Sequence, residues 1–144
     1  MVANGIFLSK LSYLIVLWGG CGVVLRKCLQ VIQNKAARFV TRLPWTTPTA
    51  ELLSQCGWLS VSQLIYYHSV LMVFKVKLSC LPDYLFNIHN DWNYPYRTRQ
   101  ADSNLIRLAI PQTTKAKLGY RWRAGESFNL FPEDIRTCEN EVCF

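Results

Sequence analysis

The sequence predicts an all-α protein, a bundle of about four helices followed by an irregular, basic C-terminal half. Three observations predict it. Apolar residues recur at three- and four-residue spacing through most of positions 6–79, as in helices that bury one face. Helix punctuation falls between those runs, at Gly19, Gly20, Gly22, Pro44, Pro48, Gly57 and Pro82. Beyond Pro82 the periodicity fades, and Pro, Asn and aromatic residues take over. On this reading residues 1–89 form the helical region and 90–144 the irregular segment.

The first predicted helix covers 6–18, apolar almost all round and therefore buried. Its end and the turn into the next helix are supplied by Gly19, Gly20 and Gly22. The second, 23–43, places Leu25, Cys28, Leu29, Ile32, Ala36, Phe39, Val40 and Leu43 on one stripe, predicted to face the core. On the helical wheel Lys27, Asn34, Lys35, Arg38 and Arg42 gather on a different face as a basic ridge. A short helix near 48–55 follows, with Thr47 as N-cap, Pro48 at the first helical position, Glu51 suited to the dipole and Gly57 as its stop. Ser60-Val61-Ser62-Gln63 fits a capping box that opens a long core helix over 61–79. His68 within it reads as a hydrogen-bonded boundary residue rather than a ligand. Further on, Asp83 to Phe86 could add one turn, 90–104 reads as a loop, 105–111 (LIRLAIP) as a short extended segment, and Glu133-Asp134 as the start of a helix after Pro132.

The chain has 144 residues, 51% of them hydrophobic and 17% charged, with a net charge of +7. That apolar fraction excludes disorder, and the length suffices to bury a core without staples. Residues 1–50 hold six basic residues and no acid, whereas 97–123 hold seven basic residues against Asp102 alone. Two basic blocks ahead of an acidic tail make an electrostatic footprint for a polyanion. The second block interleaves Trp92, Tyr94, Tyr96, Tyr120 and Trp122 with its arginines, a mix that stacks bases and binds phosphates in single strands. Aromatic residues in such a loop also serve as anchors on a core.

Six cysteines lack metal-ligand spacing, so they read as reduced structural thiols, and neither a metal nor a cofactor is expected. The uncharged run 11–25 is shorter than the ~20 residues that span a bilayer, and glycines interrupt it. A membrane partner is accordingly not expected. No phosphate loop, HExxH or nucleophile elbow occurs, and no acid precedes Glu51, so no catalytic residue is assigned.

Several segments, in order, carry a resemblance: SKLSYLIVLWGG (9–20), LQVIQNKAARFVTRLP (29–44), ELLSQCGWLSVSQLIYYHSVLMVFK (51–75), PDYL (82–85), YRTRQ (96–100), LAIPQTTKAKLGYRW (108–122) and FNLFPEDIR (128–136). Together they resemble the C-terminal region of non-LTR retrotransposon reverse transcriptases, the jockey- and CR1-like elements. Phe128, Phe131 and Trp122 depart from the family's usual Trp, Leu and Phe, each an apolar exchange. The resemblance implies a thumb-like helical bundle with its post-thumb segment, severed from the endonuclease, fingers and palm. The family's adjacent palm aspartates have no counterpart here, so a parent RNA-directed DNA polymerase would do its chemistry elsewhere. Both ends of the chain then read as cuts.

The implied partners are RNA and DNA, held by template and primer backbones, and the missing palm and fingers. The residues expected at that interface are Lys27, Lys35, Arg38 and Arg42 on the helix ridge, with Arg97, Arg99, Lys115, Lys117, Arg121 and Arg123 beyond it. An intracellular location, nuclear or cytoplasmic, is expected. A small membrane-associated or secreted cysteine-containing protein and a helical protein-interaction fragment remain alternatives.

Overall fold

A computed structural model describes residues 4–78, 82 and 95–137. Among them every regular element is helical and no strand occurs. The chain divides into two compact units, Met1–Ile65 and Tyr66–Phe144, and the division falls inside a helix, Val61–Lys77.

In the first unit a π-helical turn, Asn4–Leu8, runs into α1 (Ser9–Ser12). Tyr13 then turns extended and Leu14 adopts a left-handed conformation (φ 50°), so that α2 restarts over Ile15–Trp18. The single buried helix expected over 6–18 is therefore broken. The Trp18 indole N–H donates to the Tyr13 carbonyl at 2.9 Å, serving an acceptor at the break. Leu11 and Ile15 are buried, while Tyr13, Leu14 and Leu17 are exposed. The turn into the next helix follows at Gly19 and Gly20, as the sequence predicts.

Helix α3 spans Val23–Thr41, and its orientation differs from the predicted one. Leu25, Ile32 and Phe39, expected in the core, are exposed, and so is Cys28. The buried positions are Gln33 and Ala37, each 0% exposed. A ladder of side-chain amides accounts for this. The Gln33 Nε2 donates to the Leu59 carbonyl at 2.8 Å, and the Gln30 Nε2 donates to the Gln33 and Asn34 side-chain oxygens at 2.9 Å each. The Gln30 Oε1 accepts the Val61 amide at 2.9 Å, and Asn34 donates to the Thr49 hydroxyl at 3.1 Å. Buried polar groups need partners, and the chain from 49 to 61 supplies them only to this side of α3.

Helix α4 is Thr49–Cys56, with Pro48 at the cap position and no side-chain cap, one residue later than expected. Its stop is as predicted: Gly57 turns left-handed (φ 64°), where an L side chain would be strained, and its amide returns to the Ser54 carbonyl at 3.0 Å. The capping box of α5 (Val61–Lys77) is also present, with the Ser60 amide donating to Gln63 Oε1 (2.9 Å) and the Gln63 amide to Ser60 Oγ (3.3 Å). Leu52, Leu53, Trp58 and Ala37 form one core cluster, and Leu11, Ile15, Val61, Leu64 and Ile65 another.

The second unit is more helical than the irregular half the sequence predicts. It contains α6 (Arg99–Asp102), α7 (Thr114–Leu118), α8 (Tyr120–Asn129) and α9 (Glu133–Arg136). Helix α8 is hard to see in the sequence because its buried residues are Ala124, Gly125, Ser127 and Phe128, three of them small or polar. Phe128 is fully buried against Phe74 (centroids 5.2 Å apart), within a core that also holds Val70, Val73, Ile106 and Ala124. Segment 105–111 is neither helix nor strand. The Asn129 side chain takes the place of a strand partner, accepting the Ile106 amide at 2.8 Å and donating to the Ile106 carbonyl at 2.9 Å. Gly125 permits the approach, since a Cβ there would lie 2.6 Å from Leu108 Cδ2. Arg136 ties the end of the unit by donating to the Phe131 carbonyl (2.9 Å) and the Ser103 carbonyl (2.5 Å). As predicted, Glu133-Asp134 open α9 after Pro132. The turn expected at Asp83–Phe86 and the loop at 90–94 lie outside the described residues.

Two predictions follow from these contacts. Gln33→Leu, although more apolar, leaves the Leu59 carbonyl without its buried donor and should cost about 1–3 kcal/mol in urea unfolding. Ile32→Gln should stay within about 0.5 kcal/mol; the reverse order would mean that α3 buries its other side. Asn129→Ala removes two bonds from buried backbone and should cost at least about 2 kcal/mol. The Ile106 amide should then exchange its hydrogen much faster, and unchanged protection there would contradict the Asn129 clamp.

Candidate nucleic-acid interface

The predicted cations divide into those whose charge faces solvent and those recruited by the fold. On α3, Lys27 and Lys35 are exposed, and Arg42 follows the helix in a left-handed cap (φ 56°), also exposed. Arg38 is turned inward. Its guanidinium lies 4.4 Å from the Trp45 ring centroid, and its Nη2 donates to the Trp45 and Thr47 carbonyls at 3.4 and 3.5 Å. It staples the 44–48 loop to α3, so the ridge presents three cations rather than four.

In the second unit Arg97 is exposed but paired, its Nε 3.0 Å from Asp102 Oδ1. Arg99 opens α6 and is exposed, with Thr98 capping the helix through the Ala101 amide at 3.2 Å. Thr113 caps α7 in the same way at 3.2 Å, and this short helix carries the exposed Lys115 and Lys117. Two residues apart on a helix, they project to different sides. The same spacing separates Arg121 from Arg123 on α8. Arg121 is exposed, while Arg123 is half-buried and donates to the Leu118 carbonyl, near the end of α7, at 3.4 Å.

A groove of about 650 Å³ lies between segment 107–113 and the two helices. Arg107, Arg121 and Trp122 line it, with Leu108, Ile110 and Gln112 completing much of the wall. Among the described residues no carboxylate lines it. Arg107 was not among the residues expected at the interface, yet LIRLAIP contains its signal: alternation that buries Ile106 turns Arg107 outward. The aromatic set divides too. Trp122 is half-buried in the groove wall and Tyr96 is largely exposed. Tyr120 packs against the core, and burial pushes its phenol well above the usual value despite the opposing charge of Arg123. It is an anchor rather than a platform. Trp92 and Tyr94 lie outside the described residues.

Among the described residues no group of three His, Cys, Asp or Glu side chains could hold a metal ion. Cys21, Cys28 and Cys56 are free thiols, and burial raises the Cys56 thiol above its ordinary value. The remaining cysteines and His89 lie outside the described residues. Among the described residues no single helix is long and apolar enough to cross a membrane; α4 and α5 pass that test only as a pair bent by 52°.

His68 is half-buried on α5, and burial lowers its imidazole below the ordinary 6.5. The folded chain therefore takes up its proton at lower pH than the unfolded chain does. Stability should be full above pH about 6.5 and fall as the pH drops below it. His68→Gln should flatten that part of the urea-midpoint profile between pH about 7.5 and 5, and an identical slope in the variant would remove His68 as its source.

No family model matches this chain, and neither a curated protein nor a solved structure does.

Proposed function

We propose that the chain binds nucleic acid, with its strongest contacts at the groove of the second unit. We further propose that it does so as the thumb and post-thumb portion of a non-LTR reverse transcriptase, with no chemistry of its own. The groove is the observation that carries the binding. It combines two guanidinium groups and a half-buried indole, with no carboxylate among its described lining residues. Guanidinium forks suit phosphate oxygens, and an indole offers a stacking face to any base. Lys115 and Lys117 flank the lining residue Ala116 in sequence and add exposed positive charge on α7. In the first unit Lys27, Lys35 and Arg42 add exposed charge suited to a phosphate backbone without sequence readout.

The reverse-transcriptase assignment rests on the ordered motifs, and the all-helical first unit is in keeping with a thumb-like bundle of about four helices. RNA template and DNA primer are then the natural ligands. Catalytic carboxylates would reside in the palm of the parent polymerase.

Fluorescence anisotropy with labelled single strands and RNA–DNA duplexes, titrated between about 50 and 200 mM salt, tests the binding. The logarithm of affinity should fall linearly with the logarithm of salt. Joint substitution of Arg107 and Arg121 by Ala should reduce that slope by about 1–2. Trp122→Ala should weaken single strands by roughly tenfold while leaving the slope in place. A slope of zero for the unsubstituted chain would sink the proposal.

A further inference from the structure

The outward rotation of α3 leaves Val24, Leu25, Val31, Ile32 and Phe39 more than half exposed, with Phe39 at 87%. Part of this face is hollowed. Ile6 and Phe7, on the π-helical turn, line two cavities along α3. One of about 340 Å³ reaches Leu29 and Ile32, and one of about 580 Å³ reaches Ala36, Phe39 and Val40. The shared wall is braced from behind, because Phe7 stacks on Trp58 with centroids 5.6 Å apart and an interplanar angle of 15°. The two cavities share Ile6 and Phe7 and lie along three turns of α3, an apolar trough in two parts about 15 Å long at 1.5 Å per residue. Lys10 lies in the lining at one end and Arg42 at the other, both exposed. Among the described residues no carboxylate lines either cavity, and residues 1–50 contain none at all.

We infer that this trough receives an amphipathic helix of a partner protein, one that carries acidic residues at both ends of its apolar stripe. Side chains at three- and four-residue spacing on such a helix match the Leu29, Ile32, Ala36 and Phe39 register. The anionic ends follow from charge complementarity, since among the described residues no acidic group lines the trough beside Lys10 or Arg42. The lining is concave and walled, with its two cations at the ends, and Lys35 stands outside the lining on the same exposed side of α3. A bilayer instead takes an apolar face that protrudes, with cations along its flanks. A nucleic-acid backbone would meet an apolar floor here. The trough lies in the first unit alone and shares no residue with the groove assigned to nucleic acid, although Arg42 also belongs to the exposed charge proposed for a phosphate backbone.

The test uses the full chain and two synthetic helical peptides of about 18 residues. Both carry Leu at three- and four-residue spacing; one has Glu at each end and the other Lys. Anisotropy should show saturable binding of the Glu-ended peptide only. Ile32→Glu with Phe39→Glu should weaken it by roughly tenfold or more. Both positions are exposed, and an unchanged circular dichroism spectrum verifies the fold. Lys10→Glu with Arg42→Glu should reverse the preference in favour of the Lys-ended peptide. Equal binding of both peptides, or a preference that ignores the charge reversal, would overturn the inference. So would phosphatidylserine-containing vesicles that bind this face and are not displaced by the peptide, or dimerisation of the chain abolished by the Ile32 and Phe39 substitutions. Loss of the nucleic-acid salt slope with peptide binding intact would overturn only the function proposed above.

Discussion

The amide ladder on α3 is the constraint on which the first unit depends. A glutamine at 0% exposure is tolerable only with its hydrogen bonds made, and the partners of Gln33 and Gln30 lie at Leu59 and Val61. One rotation of α3 about its axis satisfies both. That rotation sets Ala37 against Leu52 and Trp58, fixes the start of α5 and determines which residues face water. It also explains why a strong apolar stripe does not face the core. Exposing a few aliphatic side chains costs less than burying several amides without partners.

The second unit solves a related problem with a single residue. Segment 105–111 has the alternation of a strand but no strand to pair with among the described residues. Asn129 offers one donor and one acceptor in the geometry of a neighbouring backbone, and Gly125 lets the segment lie close against α8. Arg107 thereby faces outward into the same groove as Arg121 and Trp122. The groove is a consequence of how this segment is held.

Features set by neighbours in sequence were legible from the sequence. The Ser60–Gln63 capping box, the Gly57 stop, the glycine turn after Trp18 and the start of α9 each involve residues within four or five positions. The face buried by α3 was not legible, because its bonding partners lie 26 and 31 residues away. Helix α8 leaves little trace in the sequence because Ala, Gly and Ser make most of its buried side, and small residues carry little hydropathic signal. At the interface, charge counting located the basic blocks but could not separate Lys115 or Arg121, which face water, from Arg38 and Arg123, whose guanidinium groups serve nearby carbonyls. Tyr120 is a similar case, an aromatic ring in a basic segment that packs inward.

The two units also differ in how far along the chain their contacts reach, and this sets an order of events during synthesis. The ladder of the first unit joins residues 26 and 31 positions apart, so it can close soon after Val61 emerges. In the second unit the Tyr66 hydroxyl donates to the carbonyl of Ser127, 61 positions later, and Phe74 waits for Phe128. Long-range contacts close slowly, and a growing chain folds from its N-terminal side. The rear half of α5 therefore spends a long interval of translation with Val70, Val73 and Phe74 uncovered. That interval exposes the chain to self-association before the second unit has closed.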